Sequence, residues 1–158
     1  ATAEAFRISR GGIDLSPWSA YKNKAYEKYI DRATKALRAR RAMQMTSAQH
    51  INAHADNFAR WVNFPWSVIE AGGQQTAGAW VPADSVRLHA FVQRAHTQGF
   101  WIRFYTLDGF SAAEDRGFTA SYNFGSRAAV AARWRAALST GVDFVATDQY
   151  ADFIALRR

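Results

Sequence analysis

The sequence predicts an α/β fold made of parallel β–α units, and three observations predict it. FWIRFYTLDG (residues 100–109) and, roughly thirty residues later, GVDFVATDQY (residues 141–150) each contain a short apolar run that ends near an acidic residue. Glycines at 99 and 141 close the helical patterns that precede these runs. Strands that alternate with helices in this way pair in parallel, and their polar residues collect along the C-terminal edge of the sheet, where sites form. The third observation is length. The chain's 158 residues suffice for one core but fall short of the about 250 of a complete eight-stranded barrel. Two architectures fit: an open α/β sheet, or the C-terminal part of a TIM-like (β/α)8 barrel. In the second, residues 1–158 are a single partial domain whose N-terminal barrel strands lie outside this chain.

The elements follow in order. Residues 5–9 (AFRIS) alternate like a short strand and run into Gly11-Gly12. Ser16 and Pro17 fit the cap and first turn of a helix, which continues over about residues 18–40 with Tyr21, Ala25, Tyr29, Ala33 and Leu37 on one stripe. AMQMT (residues 42–46) stands where the next strand is due, and residues 47–61 read as helical. Pro65 then introduces WSVIEA (residues 66–71) as a strand closed by Gly72-Gly73. Residues 83–98 form an amphipathic helix with Val86, Leu88 or His89, Phe91, Val92 and Ala95 inward, ended by Gly99. Strand 100–107, a long loop over 108–124, helix 126–139 and strand 142–147 complete a set of about five strands and four helices. Such alternation with short returns implies right-handed crossovers.

Composition removes several classes. A hydrophobic content of 49% and an aromatic content of 15% belong to a packed body rather than a disordered one. Without cysteine there is no disulfide framework and no thiolate metal site. No apolar run approaches the ~18 residues of a membrane span. The chain opens Ala1-Thr2-Ala3, as expected of a processed or excerpted product. A formal net charge of +7 favours anionic partners: phosphate esters, anionic lipid surfaces or nucleic acid. Its densest patch, KALRARR (residues 35–41), reads as a solvated helix end. Basic residues are not interleaved with aromatics, so nucleic acid is disfavoured.

Periodicity sorts the candidate site residues. On strand 100–107, Trp101, Arg103 and Tyr105 share one face, while Ile102, Phe104 and Thr106 share the helix-packed one. A charge in mid-strand is costly unless it is paired or faces a polar cavity. Arg103 therefore points into a lumen or cleft, as a phosphate ligand or as the partner of Glu70. Glu70, before Gly72-Gly73, could also hold a hard divalent cation. Asp108 and Asp148 end their strands, and either can serve as a turn former. SYNFGS (residues 121–126) leads into a helix, so the amides of Gly125 and Ser126 suit either a phosphate or ordinary capping by Ser126. His50 and His54 are four apart but lack the zincin glutamate, and no Gly-rich phosphate loop or nucleophile elbow is present.

WIRFYTLDG and GVDFVATDQY, with the spacing between them, resemble the last two strand–helix units of the phospholipase-C-like phosphodiesterases. That superfamily includes bacterial phosphatidylinositol-specific phospholipase C-like proteins and glycerophosphodiester phosphodiesterases. The resemblance extends back through NFPWSVIEAGGQ and RAHTQG, over about residues 63–156. It implies an α/β barrel, a histidine pair on the first strands as general acid and base, and in many members a divalent cation (Ca or Mg). It also implies an aromatic residue and then a polar one lining the site, at the positions of Tyr105 and Asp108. Ser9-Arg10-Gly11-Gly12 is similar to the family's His-Arg-Gly opening, with Ser in place of His. The chain carries no strand-borne histidine pair.

The resemblance thus implies a C-terminal, substrate-binding portion of a phosphodiesterase acting on a phospholipid or glycerophosphodiester. Arg103, Tyr105, Asp108 and Glu70 would line the site, and the catalytic histidines would lie in N-terminal sequence beyond the chain. A peripheral membrane surface and an exported location go with that family. The alternative is a non-catalytic phosphate-binding half-barrel that assembles with itself or with an N-terminal half, because open sheet edges and an apolar interior require cover.

Overall fold

The computed structural model describes residues 18–70, 77–114 and 119–156. The readings made at residues 5–9, Ser9 to Gly12, Ser16-Pro17 and Gly72-Gly73 lie outside these. The chain divides into two compact units, Ala1–Arg38 and Ala39–Arg158. Helix α1 (Trp18–Gln44) is shared between them. It takes in Ala42, Met43 and Gln44, where a strand was expected. Residues of this kind are good helix formers, and no breaker interrupts them. Tyr29 and Leu37 of its apolar stripe are exposed, and Lys35 pairs with Asp31 one turn away at 2.7 Å.

The second unit is a three-stranded parallel sheet with helices on one face. In chain order its elements are α2 (Ser47–His50), β1 (Trp61–Pro65), a 3-10 turn (Trp66–Val68), α3 (Pro82–Thr97), β2 (Trp101–Tyr105), a second 3-10 turn (Ala112–Glu114), α4 (Arg127–Thr140), β3 (Phe144–Val145) and α5 (Tyr150–Ala155). The strand order is β1-β2-β3, parallel throughout. Asn63 lies opposite Arg103, and Arg103 opposite Phe144.

Two expected elements moved. Residues 47–61 form only one helical turn, because a reciprocal cap between Thr46 and Gln49 starts a helix that ends at His50. The Asp56 carboxylate then ties the following loop by accepting from the amides of Phe58 and Ala59, both at 2.7 Å. The strand comes before Pro65 rather than after it, and WSV is a 3-10 turn. Proline suits a strand's end because it has no N–H to give to a ladder. Strands 100–107 and 142–147 and helices 83–98 and 126–139 hold at their cores, and of about five expected strands three stand among the described residues. Gly99 and Gly141 end α3 and α4 with left-handed φ values of 80° and 83°.

Alternation along β2 decides where the core lies. Ile102 and Phe104 are fully buried with Leu88, Phe91, Val92 and Ala95 of α3 and Val130, Trp134 and Ala137 of α4. Val86 of α3 is exposed instead of inward, and of the pair Leu88 or His89 it is Leu88 that is buried. The opposite face of the sheet carries Trp61, Trp101 and Phe144, exposed to 52%, 57% and 45%. Phe144 meets both tryptophans edge-on, with ring centroids 6.3 and 6.1 Å apart.

Candidate functional site

A cleft of about 510 Å³ opens at the C-terminal edge of the sheet. Asn63 from β1, Arg103 and Tyr105 from β2, and Val145 from β3 form its floor. Thr106, Asp108 and Tyr122 after β2, and Ala146, Thr147 and Asp148 after β3, complete its lining. The fold places these residues together by register: Asn63 lies beside Arg103, and the loops that follow β2 and β3 leave the sheet at the same edge.

Arg103 is half-buried, and its Nη1 donates to Asn63 Oδ1 at 3.0 Å. Its guanidinium stands 6.0 Å from the Trp61 ring, in the range of a weak cation–π contact. Among the described residues it forms no ion pair. Its expected partnership with Glu70 is therefore corrected, since the partner across the strand is an amide.

Glu70 lies away from the cleft in a buried cluster. Both of its carboxylate oxygens are held by Arg133 of α4, Oε2 by Nε at 3.0 Å and Oε1 by Nη2. Trp66 Nε1 also donates to Oε2 at 3.1 Å. Arg133 is as buried as its partner. It also donates to the carbonyls of Gly78 and Ala129, and lies over the Phe124 ring at 4.9 Å. Two charges taken out of water survive only with such complete bonding. Glu70 is accordingly a packing residue that ties the segment after β1 to α4, not a wall of the cleft.

Asp108 does reach the cleft, and it serves as a clasp. Its buried Oδ1 accepts from Thr147 Oγ1 and from the Asp148 amide, each at 2.7 Å. Its backbone pairs with the strand-like segment at Asn123: the Asp108 amide donates to Tyr122 O and the Phe124 amide to Asp108 O. Asn123 Oδ1 accepts from the Phe110 amide at 3.0 Å, and Gln149 Oε1 from that of Gly109. Asp148 thus combines the turn role expected of it with a position on the cleft wall. Thr106, assigned by simple alternation to the helix side, lines the cleft instead.

At the start of α4 the capping reading holds. Ser126 Oγ accepts from the Ala129 amide at 3.4 Å, and Gly125 has a φ of 66°. Arg127, the first residue of that helix, is engaged by Glu114 at 2.7 Å and Asp152 at 3.4 Å. The Ser111 amide, and then Arg127, hold the Glu114 carboxyl below the usual carboxylate range, and Glu114 raises Arg127 in turn.

None of the four histidines lines the cleft. His50 Nε2 lies 2.9 Å from Ala42 O, with its ring against Phe64 and Phe91. His96 meets Asp143, whose Oδ2 also accepts from the Ile102 amide. Among the described residues no three His, Asp or Glu side chains come together as a metal site. No described helix is long and apolar enough to cross a membrane.

Sequence reasoning missed Asn63, Tyr122 and Thr147. Only Asn63 had a readable signal, a polar residue alternating with Val62 and Phe64, and misplacing β1 concealed it. No protein-family profile, curated protein or solved structure matches the chain.

Proposed function

We propose that this chain is the C-terminal, substrate-binding portion of a phosphodiesterase acting on a phospholipid or glycerophosphodiester by general acid–base catalysis. The observation that carries the reading is Arg103. A guanidinium without an ion pair among the described residues faces a cleft at the C-terminal edge of a parallel sheet. Its planar fork matches two phosphoryl oxygens and would stabilise charge gathering on them during attack at phosphorus. Tyr105 and Tyr122 offer aromatic walls. Asp148 and the Asp108 clasp offer acceptors for hydroxyls of the head group. The acid and the base come from histidines outside this chain, because its own four lie elsewhere. A divalent cation finds little support in the described carboxylates: Glu70 is committed to Arg133, and no third His, Asp or Glu joins Asp108 and Asp148.

In this reading the three strands are one arc of a TIM-like barrel. Sequential strand order supports that geometry. So does the exposed Trp61–Trp101–Phe144 face, since parallel sheets are ordinarily covered on both sides. The test uses sn-glycerol 3-phosphate in a calorimetric titration and a chromogenic phosphodiester in a turnover assay. The chain binds the monoester, Arg103→Met weakens binding by about tenfold or more, and neither protein turns over the diester. Metal-dependent turnover by the chain alone would overturn this division of labour.

The same aromatic face favours a second reading, a non-catalytic phosphate-binding half-barrel that covers the face by self-association. Sedimentation velocity over a wide concentration range separates the two. A strict monomer counts against self-association.

A further inference from the structure

Thr106 has a φ of +66°, the one non-glycine residue with positive φ among those described. The left-handed region is a genuine outlier for a β-branched side chain. It falls directly after β2, on the wall of the cleft. Its effect can be read from the residues on either side. A strand alternates with period two. Continued unbroken past Tyr105, that alternation would turn Leu107 toward the cleft and Asp108 toward the helices. The reverse is found. Leu107 is fully buried in the core with Ile102, Phe104, Val130 and Trp134, and Trp134 Nε1 donates to its carbonyl at 3.0 Å. Asp108 turns to the cleft and clasps Thr147 and Asp148. One left-handed residue inverts the phase.

From this we infer that Thr106 is a positioning residue. Its left-handed backbone reverses the alternation of β2, so that Tyr105 and Asp108, three residues apart, both line the cleft while Leu107 remains in the core. The conformation is held from two sides: Thr106 Oγ1 donates to the Tyr105 carbonyl and accepts from the Trp66 amide at 3.2 Å. The second bond reaches across to the turn after β1, so the inversion is braced by the neighbouring strand. Local outliers of this sort persist where the surrounding structure over-determines them. The inference rests on the proposed function only for its ligand; the geometry stands apart from it.

Thr106→Gly, Thr106→Asn and Thr106→Val test it on the full chain. Gly and Asn tolerate a left-handed backbone, whereas Val resists it and, like Gly, lacks the hydroxyl. The first measurement is hydrogen exchange at the Asp148 amide, which reports the Asp108 clasp. Protection in Gly and Asn stays within about threefold of the parent, and Val loses about tenfold or more. The second is titration with sn-glycerol 3-phosphate, in which Val binds at least about tenfold more weakly than Gly. If Val fails to fold, Thr106→Ala takes its place and must group with Val. Equal losses in Gly and Val would assign the role to the hydroxyl and overturn the inference, as would parental protection in Val. A parent chain that ignores the monoester removes the proposed ligand, and the exchange measurement still decides the role of Thr106.

Discussion

The two faces of the sheet are made from alternate residues of the same strands, yet they meet different surroundings. Ile102 and Phe104 point into a sealed layer under α3 and α4. Trp101, Arg103 and Tyr105, their immediate neighbours in sequence, point to an exposed aromatic cluster and a polar cleft. The difference teaches that folding energy and chemistry are divided between the faces. The helix-covered face has apolar side chains only. The other carries an arginine and, at its C-terminal edge, acceptor oxygens, with large aromatic area left over at its N-terminal end.

The comparison breaks most sharply under truncation. Phe104→Ala should cost about 3–5 kcal/mol in urea denaturation, the usual loss for a buried aromatic, while Trp101→Ser should stay within about 0.5 kcal/mol. A Trp101 penalty matching that of Phe104 would show the open face to be covered in solution. Of similar size is the effect of splitting the buried pair. Glu70→Gln leaves Arg133 without its counter-charge and should cost about 3–5 kcal/mol. Replacing both, as Glu70→Leu with Arg133→Met, should cost less than the single change. If it costs more, the pair is a net source of stability beyond its mutual neutralisation.

The smallest expected effect concerns acid. Backbone amides of Ala59 and Phe58 hold the Asp56 carboxyl below its ordinary value, and the Ser111 amide with Arg127 does the same for Glu114. A group depressed in the folded state contributes fully above its unfolded pKa, and that contribution is lost as pH falls through the folded one. Thermal midpoints should therefore decline on acidification below about pH 4. An Asp56→Asn, Glu114→Gln double variant should show a flatter profile over that window. An unchanged slope would assign acid sensitivity to other carboxylates.

Much of this was legible in the sequence. Strand β2, helices α3 and α4 and the glycines that end them followed from period and punctuation. Sorting β2 by period two placed Arg103 and Tyr105 on the cleft correctly. The same rule failed at Thr106, because nothing in a threonine announces a left-handed backbone. Glu70 was misassigned for a different reason. Its partner, Arg133, lies sixty-three positions away, inside an Ala/Arg helix whose other cations, Arg127 and Arg135, are exposed. Burial of one arginine among three is decided by docking angle, which composition does not encode. Strand β1 was displaced by reading Pro65 as a beginning when it is an end.

Gly109 carries one more consequence. A Cβ built there would lie 2.5 Å from Val130 Cγ1 and 2.9 Å from the Ser126 carbonyl oxygen. The first turn of α4 rests directly on bare backbone, one residue past the Asp108 clasp. A methyl group would lift that helix off its seat and pull at the clasp in the same movement. Position 109 therefore leaves no room for a side chain: the glycine is the fixed spacing between α4 and the loop that carries the clasp.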